Sequence, residues 1–455
     1  MLATESSTSV TRALGAFVAN LRFADVPKAA HAAIHTGFAD CIGVLIAGGQ
    51  EPATRLLAST IAPAPGPATL FFSGRTASAP EAAWINGTAA HALDFDDVAQ
   101  RGHPSAVLVP AILAEAQTLR ANGERMLTAY AAGYEVWAEL VRREPDQHHA
   151  KGWHPTAIFG AIAAAAAVAS LRRLDAEQCA VALALGASQS AGLMANFGTM
   201  TKPFHAGRSA HSGLIAARLA EAGFSAALDA LEHPQGFMSA VSPRGLVDRV
   251  RAVQAGREWR LPIDRVSVKK YPLCYCTHRA LDGMLDLLAR EAIDGGRISR
   301  ITVVTSERNA TVLRNHRPRT GLEAKFSMEF AMACAVVARR AGLTELTDDF
   351  VNRSDVQALI ERTHVSPDPH EDPNKSGYAL HDLVTVELHD GRVVDSGPIT
   401  DVRGDAANPL TTRELQMKFE DCLRAVDSRV PAAALFETLM ALPSLPDANL
   451  LPGLR

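Results

Sequence analysis

Apolar and small residues recur along most of this 455-residue chain at the three-to-four-residue spacing of helices, with capping residues, prolines and glycines between the runs. Asp175 and Gln178, for example, have the spacing of a capping box. The pattern predicts helices at 10–20, 27–47, 81–93, 106–120, 123–142, 157–171 and 203–221, with helical character continuing to about residue 253.

The pattern changes near residue 262. Asp390-Gly391, placed between two β-like runs, is a strong two-residue hairpin signal. Thr320 and Glu323 have capping-box spacing before a helical run. The pattern predicts strands at 265–268, 298–305 and 383–388, and helices at 277–291, at 322–340 and from 411 onwards.

These runs define a fold class and two domains. We expect a mainly α protein whose residues 1–263 and 405–455 form a large all-helical domain. Residues 264–404 are expected to form a smaller α+β domain.

Composition narrows the class of protein. Hydrophobic residues make up 47% of the chain and aromatic residues only 5%, which favours a helix-rich soluble protein over a β-sandwich or barrel. The net charge of −4, without a basic stripe, predicts no nucleic-acid partner. The longest apolar run, 157–171, is too short to span a membrane, so we expect no membrane partner. The N-terminus lacks the pattern of a secretion signal, which makes a cytoplasmic location the default expectation.

The six cysteines mostly stand alone in apolar surroundings, as reduced core residues do. Cys274, Cys276 and His278 lie close together, but no second Cys or His pair follows at a usable spacing. We therefore predict no metal site.

Lys202 and Pro203 are predicted to begin a helix, because proline is tolerated in a first helical turn. His205 and Arg208 follow within two turns, so three basic side chains add to the partial positive charge of a helix N-terminus. This predicts a carboxylate- or phosphate-binding site, with a solvated basic patch as the alternative.

Asp94, Asp96 and Asp97 form an acidic cluster at the end of a predicted helix. The cluster could bind magnesium, donate a proton as in all-helical terpene cyclases, or hold a nearby histidine. The low aromatic content argues against a cyclase, and at least one of the three carboxylates is expected to cap the next turn.

His103 and His154 each precede a proline, which holds their backbones out of the α region. Together with Lys202 and the acidic cluster they supply the groups that proton transfer next to a carboxylate needs.

Another group comprises Lys269, Lys270, Thr277 and His278. Thr277 is a natural N-cap, which would place His278 in the first helical turn, where the helix dipole favours a neutral ring. The ring would then be either a usable base or a packed core residue. The chain has no Gly-rich phosphate loop, Gly-x-Ser-x-Gly elbow, His-Glu-x-x-His or dinucleotide fingerprint.

Taken together, the motifs resemble those of the MmgE/PrpD family, which includes 2-methylcitrate dehydratase, cis-aconitate decarboxylase and iminodisuccinate epimerase. The resemblance is carried by His91-Ala-Leu-Asp94-Phe-Asp-Asp97, Gly102-His103-Pro104-Ser, Gly152-Trp-His154-Pro155, Thr199-Met-Thr-Lys202-Pro203-Phe-His205-Ala-Gly and Lys269-Lys-Tyr-Pro. It implies a homodimer with a large all-helical domain, a smaller α+β lid, an active site in the cleft between them, and no metal or organic cofactor. The catalytic residues that it implies are Asp94, His103, His154, Lys202 and His278.

The resemblance predicts a cofactor-independent lyase that removes a proton next to a carboxylate of a small di- or tricarboxylic acid, as 2-methylcitrate dehydratase does. His154 or His278 would take the proton, and His103, positioned by Asp94, would return one. The substrate carboxylates would be bound by Lys202, His205, Arg208, Lys269 and Lys270. An epimerase and a cis-aconitate decarboxylase are alternatives, and a non-catalytic dicarboxylate-binding protein is the alternative from another class.

Two departures argue against cis-aconitate decarboxylation. The chain has Val98 where the decarboxylases are expected to have threonine, and the segment 314–318 offers no match for their active-site tyrosine. The segments 196–203 and 318–327 are instead similar to the epimerase branch.

Overall fold

The structure, a computed structural model, describes residues 9–373 and 375–453. Most of the N-terminal segment on which the secretion-signal prediction rests, residues 1–8, lies outside the described residues. The described chain is mainly α-helical and separates into two compact units, unit 1 (residues 1–267 and 413–455) and unit 2 (residues 268–412).

Helices are numbered along the chain. They are α1 (Val10–Asn20), α2 (Lys28–Gly48), α3 (Pro52–Ile61), α4 (Ala79–Ala92), α5 (Pro104–Leu119), α6 (Gly123–Val141), α7 (Pro155–Arg172), α8 (Ala176–Ser188), α9 (Thr201–Glu221), α10 (Phe237–Val241), α11 (Leu261–Asp264), α12 (His278–Arg290), α13 (Glu307–Val312), α14 (Gly321–Ala324), α15 (Met328–Ala338), α16 (Asp348–Val351), α17 (Ser354–Arg362), α18 (Thr412–Arg424) and α19 (Ala432–Met440).

Strands are numbered in the same way. They are β1 (Ala68–Thr69), β2 (Thr76–Ala77), β3 (Ile298–Ser306), β4 (Thr363–Asp368), β5 (Glu371–Asp372), β6 (Lys375–Ala379), β7 (Leu383–Leu388) and β8 (Val393–Asp395).

Unit 1 is built around buried helices. Almost every side chain of α7 is buried, which suits its alanine-rich sequence because small side chains let neighbouring helices approach closely. The antiparallel helices α4 and α9 pack closely at two glycines, where a Cβ on Gly87 would lie 2.8 Å from the Cα of Gly207. This crossing brings the C-terminal end of α4 beside the N-terminal end of α9.

Among the helices of the described residues, α2 and α7 are long and apolar enough, by length and composition alone, to span a membrane. The most apolar windows of these helices are 72% and 89% buried within the fold, as expected of core helices.

Unit 2 contains a four-stranded sheet in the order β4-β3-β7-β8. β3 and β4 run parallel, and the other two pairs are antiparallel. The predicted hairpin is confirmed as β7–β8, with Gly391 at φ 85° in the turn. A further antiparallel pair, β5–β6, lies between β4 and β7 along the chain.

Several predicted elements differ from the structure. Helical character to residue 253 is wrong, because glycines at φ 88° (Gly223) and φ 74° (Gly245) turn the chain and only α10 forms between them. The predicted strand at 265–268 is only an isolated bridge between Ser267 and Val98.

The predicted helix 322–340 is two helices, α14 and α15. The capping box of Thr320 and Glu323 is confirmed, but it caps only one turn. Ser327 then accepts a hydrogen bond from the backbone N–H of Phe330 and so begins α15. The capping box of Asp175 and Gln178 is confirmed at the start of α8.

Candidate active site

The candidate site lies where one helix of unit 1 ends and three others begin. His91 lies in the last turn of α4, His103 and His154 are the N-cap residues of α5 and α7, and Lys202 lies in the first turn of α9. Both N-cap histidines have non-helical backbones, as predicted from the proline that follows each. The unsatisfied N–H groups of these helix starts make the region favourable for an anion.

Asp96 joins two of the histidines. The Nδ1 atom of His91 lies 2.9 and 3.0 Å from the two carboxylate oxygens of Asp96. The Nδ1 atom of His103 lies 2.9 Å from Oδ2. This distance allows an ion pair, but the ring nitrogen is not aligned with Oδ2 for a hydrogen bond. Burial opposes ionisation of Asp96, but the two imidazoles lower its pKa well below the usual value. The carboxylate beside His103 is therefore Asp96, which corrects the prediction that Asp94 positions this histidine.

Asp94 pairs instead with Lys202. Its carboxylate Oδ1 lies 2.7 Å from Lys202 Nζ, and the two side chains are 34% and 17% exposed. Asp94 is in the left-handed region at φ 53°, an uncommon backbone conformation for a residue other than glycine. The ring of Phe197 lies 5.5 Å from Lys202 Nζ, so the ammonium group also has an aromatic neighbour.

His154 and His205 face each other. Their Nδ1 atoms are 3.1 Å apart, so one ring donates its proton to the other, and both residues are buried. Burial lowers the pKa of each ring, and for His154 the nearby His91 and Lys202 lower it further. His154 is therefore neutral at physiological pH. Its ring also meets the ring of Phe197 edge-on, with 4.9 Å between centroids.

Imidazole packing joins these pairs into one cluster. The ring of His91 lies 4.3 Å from that of His103 and is stacked 6.0 Å from that of His154. Burial lowers the pKa of His91 to about 4, although Asp96 opposes this shift. Four of the five predicted catalytic residues, namely Asp94, His103, His154 and Lys202, thus lie together with His205, which was predicted to bind carboxylates.

Arg208 lies elsewhere on α9. Its guanidinium is 5.4 Å from the centre of the Trp84 ring and 2.5 Å from His211 Nδ1. Trp84 is two helical turns before His91 on α4, so the contacts of Arg208 are away from the histidine cluster.

Lys269, Lys270 and His278 belong to unit 2. Lys269 is buried, and Lys270 Nζ lies 5.5 Å from the centre of the Tyr271 ring. His278 is fully buried, and its Nε2 donates to the carbonyl of Leu273 at 3.2 Å, so any base role would use Nδ1. Thr277 occupies the predicted N-cap position, but its hydroxyl donates to the carbonyl of Cys274 and does not cap α12.

One set of side chains in the described part of the chain has the geometry to hold a metal ion. Potential ligand atoms of His91, Asp94, Asp96 and His103 all lie within 4.8 Å of one another. The two carboxylates already have partners, because Asp96 accepts a hydrogen bond from the His91 imidazole and Asp94 faces the ammonium group of Lys202. A cation would have to displace Lys202, so the arrangement suits an organic carboxylate better than a metal.

A buried ion pair that the sequence analysis missed supports the acidic segment. Lys418 Nζ on α18 donates to the backbone carbonyl of Phe95 at 2.7 Å and lies 2.5 Å from Asp40 Oδ1. Burial raises the pKa of Asp40, although Lys418 opposes this shift. Asp97 is also buried, and burial together with Asp40 raises its pKa well above the usual value. A lysine in a late amphipathic helix gives no sequence signal for this role.

The cluster is identified by its chemistry and not by the size of a cavity. A cleft of about 730 Å³ occurs in unit 2, away from these histidines, where it is lined by Gly295, Arg339 and Arg353 among others.

Comparison with known proteins gives matches over most of the chain. The model of the MmgE/PrpD N-terminal domain matches residues 12–248, and that of the MmgE/PrpD C-terminal domain matches residues 271–440. The chain is 28% identical over 386 residues to a human protein named cis-aconitate decarboxylase, covering 82% of this chain and 78% of the relative. It is 24% identical over 356 residues to a cis-aconitate decarboxylase of Aspergillus terreus, covering 72% of each.

Proposed function

The chain belongs to the MmgE/PrpD family, and we propose that it is a cofactor-independent lyase that removes a proton next to a carboxylate of a small di- or tricarboxylic acid. The observation that carries the proposal is the Lys202–Asp94 pair, 2.7 Å apart, beside a cluster of buried imidazoles. A cation for the carboxylate and bases for the carbon acid are thus close together.

Substrate binding begins with an exchange of carboxylates. A substrate carboxylate replaces Asp94 on Lys202 Nζ, so that the ammonium group keeps a partner throughout. The cation then stabilises the negative charge that develops when the adjacent carbon loses its proton.

Proton transfer divides between two histidines. His103 takes the proton from carbon, because the resulting imidazolium is stabilised by the Asp96 carboxylate. His154 stays neutral among basic groups and donates a hydrogen bond to the developing enediolate, as a neutral imidazole can. Loss of a β-hydroxyl as water, assisted by a proton from His103, completes a dehydration of the 2-methylcitrate type.

Decarboxylation is a second candidate, favoured by the relatives named cis-aconitate decarboxylase. In that reaction a carbon–carbon bond breaks, carbon dioxide leaves and His103 delivers a proton to the carbon. Epimerisation needs only that the proton return to the opposite face. The homodimer, the cytoplasmic location and the part played by His278 stay predictions.

One experiment separates these reactions. The protein is incubated in heavy water with citrate, 2-methylcitrate, malate, tartrate, cis-aconitate, itaconate and aspartate-derived acids, and carbon-bound deuterium is followed by NMR. Loss of water from a hydroxy acid to give an alkene identifies a dehydratase, and release of carbon dioxide identifies a decarboxylase. Deuterium exchange with inversion of configuration identifies an epimerase. Saturable binding without any exchange or product would refute the proposal and indicate a non-catalytic carboxylate-binding protein.

A further inference from the structure

We propose that Asp96 is a positioning residue that keeps His91 and His103 in the same tautomer, with the proton on Nδ1 and the lone pair on Nε2. The side chain of Asp96 is fully buried, and the Nδ1 atoms of both imidazoles lie 2.9 Å from its oxygens. Asp96 would then orient the two rings, and His91 would support the ring of His103.

A buried carboxylate determines where the protons of the neighbouring rings lie. An ionised carboxylate has only acceptor atoms, so His91 Nδ1, which is in hydrogen-bond contact with both oxygens, must carry a proton. The contact of His103 Nδ1 at 2.9 Å is not aligned as a hydrogen bond, but a proton there is favoured by attraction to the anion, which would repel a lone pair. A buried carboxylate is stable in the ionised form only with such donors. The lowered pKa of Asp96 agrees with this geometry.

The surroundings of Nε2, on the far side of the His91 ring, favour the same tautomer. His91 Nε2 is buried and has no hydrogen-bond partner among the described residues. An unpaired buried N–H is rarer in proteins than an unpaired acceptor, so a lone pair on Nε2 is the less costly state. The tautomer deduced from Asp96 is therefore also the one that the surroundings of Nε2 favour.

For His103 the consequence is that Nε2 is the atom that accepts the proton from carbon; this step rests on the function proposed above. For His91 the consequence is structural, because its ring packs against those of both His103 and His154. The tautomers themselves do not depend on which acid the protein acts upon.

The test replaces Asp96 by asparagine. The amide oxygen of Asp96→Asn can accept a hydrogen bond from one ring, but its NH₂ group must donate a hydrogen bond to the other ring, which then has to carry its proton on Nε2. Histidine labelled with ¹⁵N reports the tautomers by NMR at pH 8, with His91→Gln and His103→Gln used to assign the signals. We expect both rings in the Nδ1–H form in the wild type, and one ring in the Nε2–H form in the variant.

Any other wild-type state of either ring at pH 8, or an unchanged spectrum of Asp96→Asn, would overturn the inference. If the variant does not fold, the wild-type spectrum alone decides the tautomers. Activity gives a separate readout on whichever acid the enzyme turns over. Asp96→Asn should lower kcat by about 10²-fold or more with little change in KM, the size expected when a general base is lost.

The matched control is Asp97→Asn. Asp97 directly follows Asp96 and is equally buried, but its carboxyl group accepts a hydrogen bond from the hydroxyl of Ser105 and not from an imidazole, so an amide can keep that contact. The control should keep the wild-type tautomers and turnover within about threefold. A fall in kcat equal to that of Asp96→Asn would show that any change in this segment is harmful, and would overturn the specific role of Asp96. Absence of turnover on every acid, with the expected tautomers in place, would refute the proposed function alone.

Discussion

The buried pair of Lys418 and Asp40 provides the sharpest test of how the acidic segment is held. Replacing Lys418 by methionine keeps most of the side-chain volume but removes the charge and the hydrogen bond to the carbonyl of Phe95. Lys418 is 7% exposed and Asp40 is 2% exposed, so water cannot replace the lost partner without a rearrangement.

The expected loss depends on pH. Removing one partner of a buried ion pair costs about 3–5 kcal/mol when the other charge remains. Because the pKa of Asp40 is already raised and Lys418 holds it down, the carboxyl of the variant takes up a proton more readily. At pH 5 the loss should therefore fall towards the hydrogen bond alone, about 1–3 kcal/mol. In the variant the pKa of Asp40 is higher in the folded state than in the unfolded state, so ionisation of Asp40 at higher pH destabilises the folded variant. The difference in unfolding free energy between wild type and variant should therefore grow from pH 5 to pH 8.

The assay is urea unfolding followed by tryptophan fluorescence. The four tryptophans, at 84, 137, 153 and 259, all lie in unit 1, so their signal reports the unfolding of that unit. Arg424→Met is the matched control, because Arg424 lies on the same helix in an exposed pair with Asp421 and such pairs contribute about 0–1 kcal/mol. The double variant Lys418→Met/Asp40→Leu should recover most of the loss, since apolar residues can replace a buried pair. A loss below about 1 kcal/mol at pH 8, or one equal at both pH values, would refute the reasoning.

Three further predictions follow from the same structure. Gly207→Ala should lower the free energy of unfolding by about 1–3 kcal/mol, because its Cβ would lie 2.2 Å from the carbonyl oxygen of Trp84; an unchanged urea midpoint would contradict the packing of α4 on α9. Burial raises the pKa of Glu135 to about 7, so the wild-type unfolding free energy should fall between about pH 4.5 and pH 7 by up to about 1.4 kcal/mol per pH unit. Glu135→Gln should lose this pH dependence in urea titrations, whereas an equal pH dependence in the variant would show that other groups cause it. Lys202→Gln should raise KM about 10- to 100-fold, the worth of a hydrogen bond to a charged group, whereas Arg424→Gln should leave KM unchanged; equal KM values would remove Lys202 from carboxylate binding.

Local signals in the sequence predicted much of the fold. The pattern of α1 gave both of its ends, and the capping residues before α8 and α14 formed the expected hydrogen bonds. The hairpin after β7 followed from Asp390-Gly391, because the turn geometry depends on those two residues alone. Such features need no information from distant parts of the chain.

The errors arose where distant residues decide the outcome. A continuous apolar pattern concealed the break between α14 and α15, which the hydroxyl of Ser327 makes. The spacing of Asp94 and Asp96 could not show which carboxylate faces His103, because the left-handed turn at Asp94 sends the two side chains to different partners. Lys418 lies 323 residues from Phe95, so only the folded chain shows their contact.

The central claim is that His103, beside Asp96, moves a proton at a carbon next to a carboxylate held by Lys202. The most direct measurement is deuterium incorporation from heavy water into the responding acid, compared between the wild type and His103→Gln under saturating substrate. We predict that His103→Gln binds the acid with nearly unchanged affinity but incorporates deuterium at least about 10²-fold more slowly. Incorporation at the wild-type rate would contradict the account.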